Sequence, residues 1–578
     1  MEYQMKCKFC GRETEDRNGI CEYCEPFVCE ICGARLSRGY CAICGRLVCT
    51  DDFKFVGFAR VCIQCLENNP KLIDYNYFLK LVFSRAREVT SYASEEFTKV
   101  MEFGVPPSSE HLHVHIGLDD FDSPYGLCTT YVMAKLLQAL KERFSIELLD
   151  FPLLVRLNPN IPLKTRGNAS VAARFRIHKA DVCDLVENVC KFVGNISHKF
   201  FKKTQPALVV YLTDKYAIDK VLNWAYMQSV KSVLPPKILL KKLSEIKIGQ
   251  LMVFSPRLQT PRGIVGAIAA IGAAFDDYTF ELIAYRKREN IWMKRQVDEN
   301  SVIEMNSKLF PLVFGNIDGK RVLIVPRGPD PVLFGIRGEA PEVVYEAFKI
   351  IKHEDIDLWT IFRTNQATSS HIRSLGSNIE DAHPYETVTI DCKVVTASRK
   401  NDKIILKARA GGILIEGFAY KLQRQLQSNL LKLRQDDVIR LIIAIMDKRE
   451  NIIRGNIEEI IPLKLKPELI KRNPRCPRCC SRLKKKSKNE MYCKKCGLRI
   501  PGSFKIEIKY PRSELRIHKR YLPSPRAYRH LTMPNERVYF RFQKLLGKIR
   551  AYLTEPVLAE NKELTLVKVL PIKDPEIS

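Results

Sequence analysis

The sequence predicts a multidomain α+β protein that carries a β-barrel and several small zinc modules. Its 578 residues exceed what one core can hold, since hydrophobic cores stop growing near roughly 250–300 residues. Strand-like and helix-like segments alternate through the middle of the chain, which is typical of α/β or α+β folds. Twenty cysteines include seven Cys-x-x-Cys pairs. Without a secretory signal, these pairs predict metal sites in the reducing cytoplasm rather than disulfides.

Composition and charge favour a soluble protein with a polyanionic partner. The longest apolar stretch has 13 residues from Gly263, whereas a membrane helix needs about 20, so no membrane partner is expected. Ninety-four Lys and Arg residues against 65 Asp and Glu give a formal charge of +29. Residues 464–529 contain 22 basic and 4 acidic residues, and so carry +18 of that charge. This concentration predicts that the C-terminal part binds nucleic acid.

Residues 1–66 are predicted to form a zinc ribbon followed by cross-brace zinc fingers. The ribbon has two Cys-x-x-Cys knuckles, and the four ligand pairs that follow are close enough to interleave. The predicted ligand sets are Cys7, Cys10, Cys21 and Cys24; Cys29, Cys32, Cys49 and Asp52; and Cys41, Cys44, Cys62 and Cys65. Asp52 can instead be an ordinary helix cap, and the modules can be purely structural or protein-binding.

The rest of the chain divides by its hydrophobic patterns and composition. Short strands dominate one region densely enough for a small closed barrel, for which an OB-fold is the preferred prediction. The predicted segments are a helical linker at 67–110, an α/β region at 111–375, the barrel at 385–465, a zinc ribbon at 471–500 and a basic C-terminal region at 501–578.

The second ribbon is predicted from two more knuckles, separated by the lysine-rich hairpin SRLKKKSKNEMY. Its ligands are Cys476, Cys479, Cys493 and Cys496. Zinc would supply the folding free energy of so small a module and hold the basic hairpin rigid for a phosphate backbone. The remaining cysteines are expected to be mostly small buried hydrophobic residues: Cys128, Cys183, Cys190, Cys392 and Cys480.

The stretch HIGLDDFDSPYGLCTTYV places Asp119, Asp120 and Asp122 at the end of an apolar strand. Three adjacent carboxylates repel one another unless a cation or several N–H groups lie between them. Magnesium binds through one or two carboxylates plus substrate phosphates, so the pattern favours nucleotide chemistry. The alternative is a solvated loop in which Asp122 or Ser123 caps the following helix.

Three further stretches provide candidate binding residues. LKTRGN offers Lys164, Arg166 and Asn168 as donors for a triphosphate, although an ordinary basic loop is the alternative. GPDPVLFGIRGE places Asp330 and Arg337 on glycine-punctuated turns, where they could form walls of an active site. GIVGAIAAIG lacks the Lys-Ser/Thr ending of a phosphate-binding loop, so its glycines indicate close helix packing.

Several motifs in order resemble one family of RNA-modifying enzymes. They are IGLDDFDSPYGLCTTY, RLNPNIPLKTRGN, PRGIVGAIAAIG, ELIAYR, GPDPVLFGIRGE, IFRTNQATSSH and PRAYRHL. Together they are similar to the archaeal 2-agmatinylcytidine synthetases, which attach agmatine to the first anticodon cytidine of an isoleucine tRNA. The resemblance runs from about His113 to about Leu531.

This resemblance implies a fold and a reaction. The fold is a kinase-like and a ferredoxin-like α/β domain within 111–375, the OB-fold, the zinc ribbon and a tRNA-binding C-terminal region. The reaction cleaves ATP to AMP and pyrophosphate, activates the cytosine C2 oxygen as a phosphate ester, and joins agmatine to C2 in a tRNA with a CAU anticodon. By the same resemblance, Asp119, Asp120 and Asp122 handle magnesium and ATP, Thr130 matches a phosphorylated position, and Thr129 is its helper.

Some positions depart from the family pattern. Phe121 stands where threonine is usual, Ala169 and Ser170 where glycine and alanine are expected, and Ser369 where aspartate is common, while the barrel segment AYKLQ lacks the usual glutamate-proline-threonine. These departures leave two alternatives open: a non-catalytic RNA-binding zinc protein, or a related enzyme that uses another amine or tRNA. The N-terminal zinc modules lie outside the family core and add an RNA or partner contact, or only a structural appendix.

Overall fold

The computed structural model describes residues 5–57, 59–88, 96–123, 126–164, 167–196, 204–256, 260–291, 293–326, 328, 330–376, 378–449, 451–502, 504–542 and 575–577. The chain forms two compact units. The first comprises residues 1–388, 444–450 and 524–578, and the second comprises 389–443 and 451–523.

A mixed sheet dominates the first unit and contains ten strands among the described residues. In spatial order these are Val332–Gly338, Thr279–Arg286, Ile356–Thr364, Leu153–Arg156, Ala169–His178, His111–Asp119, Ala207–Thr213, Gln250–Ser255 and Thr98–Gly104, with Glu147–Leu148 paired to Ala169–His178. Leu153–Arg156 runs parallel to Ile356–Thr364, with Leu153 opposite Arg363. This pairing joins the strands before residue 256 to those after 278, so the α/β region has one continuous sheet.

Helices cover both faces of this sheet. Those of the first unit are Ile63–Asn68, Tyr75–Glu88, Thr129–Arg143, Val182–Ile196, Lys220–Lys231, Pro236–Leu243, Ile264–Ile271, Glu299–Leu309, Pro341–Ile350 and Asn535–Phe542. The helix after the acidic stretch, Thr129–Arg143, buries Val132, Leu136 and Leu140, which lie on one helical face. In the part of the chain that is described, no helix is long and apolar enough to cross a membrane.

Side chains of the strand His111–Asp119 alternate between the two faces of the sheet, and this alternation positions the acidic stretch. Leu112, Val114, Ile116 and Leu118 belong to the core on one face of the sheet. Gly117 lies on the other face, where a Cβ would come within 2.3 Å of the Ala267 carbonyl oxygen. Because alternate strand residues share a face, Asp119 also meets the helix Ile264–Ile271.

The linker prediction for 67–110 is only partly right. Tyr75–Glu88 is helical, but Thr98–Gly104 is an edge strand of the large sheet and pairs antiparallel with Gln250–Ser255. Pairing with a distant strand satisfies the backbone N–H and C=O groups of Thr98–Gly104. The local spacing of apolar residues did not distinguish a strand from a helix here.

The C-terminal segment is anchored to the first unit by Arg537. Its guanidinium donates to both carboxylate oxygens of Asp277 at 2.7 and 2.8 Å and lies 2.8 Å from Glu339. The backbone of Ala367 donates to the carbonyl of His530 at 2.8 Å. A buried, multiply paired arginine fixes its segment firmly, and the Ala367 hydrogen bond holds His530 beside the sheet.

Most of a five-stranded closed barrel, and a small zinc-type module, belong to the second unit, counted over the described residues. The barrel strands are Thr387–Lys400, Lys403–Ala410, Ile413–Ala419, Val438–Arg449 and Ile452–Lys464, and the first pairs with the fourth to close it. In the sequence, the helix Arg424–Leu430 follows the third barrel strand and precedes the fourth. The module's sheet is Lys484–Ser487, Glu490–Tyr492 and Arg499–Pro501, and Glu468–Arg472 pairs with Ile506–Tyr510. The predicted barrel is confirmed.

The cysteines outside the four clusters were predicted to be mostly buried, and three of the five are buried or half-buried. Cys128 and Cys392 are buried and Cys190 is half-buried. Cys183 and Cys480 are exposed, so the prediction is wrong for them. Cys183 lies in the first turn of an amphipathic helix, and Cys480 follows a knuckle with a left-handed φ of 57°.

Candidate active site

The acidic stretch forms a tight turn at the end of the strand His111–Asp119. Asp120 has a φ of 61°, in the left-handed region that aspartate and asparagine tolerate better than most residues. Its Oδ2 accepts hydrogen bonds from Arg262 Nη2 at 2.7 Å and from the Gln205 backbone N–H at 3.0 Å. The turn therefore aims the Asp120 carboxylate at a cation and a backbone donor from separate loops.

Asp122 caps the helix Thr129–Arg143, which was the alternative interpretation of the acidic stretch. Its Oδ1 accepts from the Thr129 backbone N–H at 2.9 Å and from the Thr129 hydroxyl at 3.0 Å. Thr129 Oγ1 in turn accepts from the backbone N–H of Phe121 at 3.3 Å. Thr129 thus holds the shape of the acidic turn, whereas Thr130 presents its hydroxyl on the next helical position, 3.1 Å from Cys128 Sγ.

Asp119 lies against the first turn of the helix Ile264–Ile271. A Cβ at Gly266 would come 2.0 Å from Asp119 Oδ2, and one at Gly263 would come 2.9 Å from the Asp119 carbonyl oxygen. The predicted close helix packing is therefore present, and it is directed at the acidic turn. Only glycine lets the helix backbone approach the carboxylate this closely.

The electrostatics of this turn favour a cation. Burial, followed by the charge of Asp120, raises the pKa of Asp119 well above its ordinary value. Burial also raises the pKa of Asp120, although the neighbouring Arg262 guanidinium opposes that shift. Two carboxyl groups that resist ionisation beside one another are stabilised as anions by an added positive charge.

A cavity of about 320 Å³ opens beside the acidic turn. Its lining includes a polar group, the three aspartates with Gln205 and Arg262, and an apolar group, Leu157, Ile161, Leu163, Val233 and Leu234. Lys164 and Asn168 line it as well. Cavities with an apolar body and a few converging charged groups are typical of small-molecule sites.

A second cavity of about 410 Å³ adjoins the first, and both are lined by Asp122 and Thr129. Thr130, Arg156, Glu281, Arg337 and His530 line only the second. The acidic turn and the start of its helix therefore stand between two compartments of different chemistry.

The second cavity holds a network of charged and polar groups. Glu281 lies 3.7 Å from Arg156 and 3.4 Å from Arg337, and accepts a hydrogen bond from Gln366. His530 Nδ1 lies 2.9 Å from Arg337 Nη2 and 3.2 Å from Gln366 Oε1. The charge of Arg156, together with burial, holds the pKa of His530 well below its usual value. His530 therefore lies in a cationic wall that disfavours the protonated form of its imidazole.

The other predicted binding residues are distributed between the two cavities. Lys164 donates to the carbonyl of Pro159, and Asn168 donates to the carbonyl of Asn158 at 3.0 Å, so both also hold their own loop. Asp330 lines the second cavity, but its Oδ1 accepts from the Val332 N–H at 3.0 Å and lies 3.3 Å from Arg295 Nη2. Arg166 lies outside the described residues.

Several residues that line the cavities, and Gln366 bonded to two of them, were missed by the sequence reasoning. They are Arg156, Gln205, Arg262, Glu281, Gln366 and His530. All except Gln205 lie in the motifs RLNPNIPLKTRGN, PRGIVGAIAAIG, ELIAYR, IFRTNQATSSH and PRAYRHL, which carried the family resemblance. The motifs marked the segments, but the sequence offered no signal that these particular side chains converge.

The departures from the family pattern mostly lie away from the cavities. Phe121 is 1% exposed and stacks on Phe97, with ring centroids 5.8 Å apart. Its bulk therefore fills the core. Ser369 accepts a hydrogen bond from the Met533 backbone N–H at 3.2 Å, and its own N–H donates to Leu531, so it secures the C-terminal segment. Ala169 lies at a strand start and lines both cavities.

Four clusters within the described residues bring together side chains that could bind a metal. They are Cys7, Cys10, Cys21 and Cys24; Cys29, Cys32, Cys49 and Asp52; Cys41, Cys44, Cys62 and Cys65; and Cys476, Cys479, Cys493 and Cys496. These are the four sets that the spacing predicts, and in each the ligand atoms lie within 4.8 Å of one another.

The spacing within these clusters fits zinc. Tetrahedral Zn–S bonds of about 2.3 Å place the sulfurs roughly 3.8 Å apart. The Cys44–Cys62 and Cys32–Cys49 sulfur pairs are separated by 3.7 and 3.9 Å. Asp52 Oδ2 lies 3.1 Å from two sulfurs of its cluster, so its carboxylate points into the site. The three aspartates of the acidic turn are not among the described groups that meet this spacing.

The fold and the site define a class of protein, namely multidomain α+β enzymes with an acidic strand-end site and accessory cysteine clusters that could bind a metal. Two domain profiles match the chain: one described as the TiaS TCKD domain over residues 115–249, and one described as the TiaS FLD domain over 261–371. The tRNA(isoleucine-2) 2-agmatinylcytidine synthetase TiaS of Pyrococcus horikoshii is 34% identical over 433 residues, which is 73% of this chain and 96% of that protein. The chain belongs to the tRNA(isoleucine-2) 2-agmatinylcytidine synthetase (TiaS) family.

Solved structures agree with this family membership. The crystal structure of TiaS in complex with tRNA(isoleucine-2) and ATP is 30% identical with a TM-score of 0.59, over 73% of this chain and 97% of that one. The crystal structure of TiaS with the same tRNA, AMPCPP and agmatine is 27% identical with a TM-score of 0.57, over 73% and 96%. The family resemblance and the multidomain α+β fold predicted from the sequence are confirmed.

Proposed function

We propose that this protein is an ATP-dependent ligase that joins agmatine to C2 of the first anticodon cytidine of tRNA(isoleucine-2). The observation that carries the proposal is the pair of adjoining cavities that meet at Asp122 and Thr129. One is lined by an acidic group and an apolar group suited to a nucleotide, and the other has a cationic wall suited to a phosphorylated group. A phosphoryl group can pass between two such compartments without leaving the protein.

The first cavity is the proposed ATP site. Its aspartates would hold Mg²⁺, which neutralises charge on the phosphates as they are transferred. Asp120 is paired with Arg262 and Asp122 with Thr129, so Asp119 is the carboxylate with the least compensation and the strongest candidate ligand. Arg262 and Lys164 lie close enough to add positive charge along a triphosphate.

The second cavity is the proposed site of the activated cytidine. A carbonyl oxygen leaves poorly, whereas a phosphate ester leaves as phosphate. When the agmatine amine attacks C2, the new C–N bond forms, the C2–O bond breaks and the electron pair departs with the phosphate. Arg156 and Arg337 would stabilise that leaving anion. The amine nitrogen loses a proton in this step, and the departing phosphate can accept it.

RNA binding is proposed for the second unit. Lys484, Lys485 and Lys486 are exposed on the hairpin of the zinc-type module. A row of lysines on a rigid hairpin suits a phosphate backbone, and an OB-fold barrel suits unpaired bases. Affinity for tRNA should therefore fall as the salt concentration rises.

Finer assignments follow the same proposal. We infer a kinase-like domain over the TCKD match, a ferredoxin-like domain over the FLD match, an OB-fold for the barrel, one zinc ion in each of the four clusters, and a cytoplasmic location. The zinc sites are supported by the sulfur spacing, and the location by a tRNA substrate and by cysteines arranged for metal rather than disulfides.

The direct test is to incubate the protein with Mg²⁺, ATP, agmatine and tRNA bearing a CAU anticodon, and to weigh the anticodon fragment by mass spectrometry. We expect a mass gain equal to agmatine minus water. The matched control is the same tRNA with uridine at the first anticodon position, which should stay unmodified. An unmodified CAU tRNA that still binds tightly would contradict the proposal and favour the non-catalytic alternative.

Thr130 provides a test of the phosphoryl step. Thr130→Ala should lower the modification rate at least about 100-fold, because it removes the hydroxyl at the position that the family resemblance matches to a phosphorylated one. Thr130→Ser keeps a hydroxyl and should retain most of the rate. Mass spectrometry of the peptide that contains residue 130 should detect phosphate in the wild type and the serine variant after incubation with ATP. An alanine variant that modifies tRNA at the normal rate would refute the role of Thr130.

A further inference from the structure

The first N-terminal zinc module reaches the ATP cavity, although the matched domain profiles begin only at residue 115. Its second knuckle, Cys21 and Cys24, leads directly into a short 3-10 helix, Glu25–Phe27. The Phe27 N–H donates to the Cys24 carbonyl at 3.0 Å. Pro26 and Phe27 line the same cavity as the three aspartates. A segment outside the family core thus forms part of the wall of the proposed active site.

This wall is packed firmly against the catalytic part of the first unit. Phe27 is 5% exposed, and its ring centroid lies 5.3 Å from that of Tyr385. The Tyr385 hydroxyl donates to the Ser37 carbonyl at 2.8 Å, and the Ser37 N–H donates to the Phe27 carbonyl at 2.7 Å. Val233 joins the same apolar cluster. These contacts fix Phe27 from both its backbone and its ring.

Exposed ion pairs add to the same interface. Glu22 lies 3.1 Å from Lys241, and Glu25 lies 3.3 Å from Lys237. Both lysines belong to the helix Pro236–Leu243, whose first residue lines the cavity. Exposed pairs contribute little free energy, so the apolar cluster holds the module and the pairs set its orientation.

The chemistry of the cavity says which part of ATP meets this wall. Phe27 packs with Ile161, Leu163 and Val233 in one apolar cluster of the lining, and Pro26 lines the cavity beside it. Asp120, in contrast, is hydrogen-bonded to Gln205 and Arg262. An adenine ring is flat and uncharged and stacks well on aromatic and apolar side chains. Agmatine carries two positive charges and would need carboxylates beside this apolar cluster. Phosphates at the aspartates and the base on the apolar cluster is the arrangement that satisfies both parts of the lining.

We propose that the first zinc module completes the ATP cavity, with Pro26 and Phe27 forming the wall against which the adenine base rests. Zinc at Cys7, Cys10, Cys21 and Cys24 then supports nucleotide binding by holding the knuckle that carries this wall. The inference rests on the proposed function, because it assumes that the cavity takes ATP.

The first test replaces the ring. Phe27→Ala should weaken the binding of Mg²⁺-ATP at least about tenfold in calorimetry without tRNA, because it removes most of a stacking surface. The KM for ATP should rise in step, while the KM for agmatine stays within about twofold. Phe55→Ala is the matched control, since Phe55 is 62% exposed on a neighbouring zinc module and does not line the cavity. Equal ATP affinity in the wild type and Phe27→Ala, or a rise only in the KM for agmatine, would overturn the inference.

The second test removes a metal. Cys10→Ser should lower the zinc content by about one ion per chain and weaken ATP binding. Cys44→Ser should lower the zinc content equally but leave ATP affinity unchanged, because its cluster lies in the neighbouring module. If both variants bind ATP like the wild type, zinc in the first module does not support the wall. If the wild type itself binds no ATP, the proposed function fails instead, so the two failures are distinguishable.

Discussion

Asp120→Asn is expected to lower the modification rate by about 10³-fold while tRNA affinity changes no more than about threefold. Asparagine tolerates the left-handed φ of 61° at this position, so the turn should keep its shape. The asparagine oxygen can still accept a hydrogen bond from the Gln205 N–H. The substitution removes the negative charge that pairs with Arg262 at 2.7 Å. A missing charge in a desolvated phosphoryl-transfer site typically costs 10²- to 10³-fold or more.

The measurement is a single-turnover assay with saturating tRNA, together with a separate tRNA binding curve. Asp355→Asn is the matched control, because Asp355 is 84% exposed and pairs with Lys287 on the surface. That variant should behave like the wild type. Unchanged modification by Asp120→Asn would remove the acidic turn from the mechanism, and lost tRNA binding would assign Asp120 a structural role instead.

Gly266→Ala is expected to lower kcat/KM for ATP by about 10²-fold with only a modest loss of stability. The added Cβ would stand 2.0 Å from Asp119 Oδ2 and 2.5 Å from its Cγ. The buried helix Ile264–Ile271 cannot retreat easily, so the Asp119 side chain must rotate away from its position. Displacement of a catalytic group by about 1 Å can cost 10²-fold in rate.

Thermal unfolding separates this effect from misfolding. We expect the melting temperature of Gly266→Ala to fall by only a few degrees, because the clash can be relieved by one short side chain. Gly412→Ala is the control, since the described structure places no atom within 4 Å of its Cβ and its φ is not left-handed. Normal ATP kinetics in Gly266→Ala would show that the position of the Asp119 carboxylate does not matter.

The N-terminal extension changes the picture of the active site. The family core supplies the acidic turn, the helix that meets it and the cationic wall. The extension adds the apolar wall formed by Pro26 and Phe27, next to the same cavity. If the proposals hold, zinc occupancy of the first module and use of ATP are linked through one short 3-10 helix.

Local patterns predicted the features that depend on neighbours in sequence. Knuckle spacing indicated all four cysteine clusters, and the interleaved sets agree with the groups in the structure. The acidic stretch and the helix after it were placed correctly, because the periodicity of apolar residues in a strand or a helix is visible within a few residues of sequence. The strand Thr98–Gly104 was missed because its identity depends on pairing with Gln250–Ser255, far along the chain.

The sequence by itself thus determined the membership of the four clusters, the acidic turn, the barrel and, through its motifs, the family. Only the tertiary structure decided that Asp120 meets Arg262, that Gly266 makes room for Asp119, and that Phe27 and His530 line adjoining cavities. These partners are separated by more than 100 residues, so no local period relates them. They converge because a continuous sheet, covered by helices on both faces, brings distant strand ends and loops to one place.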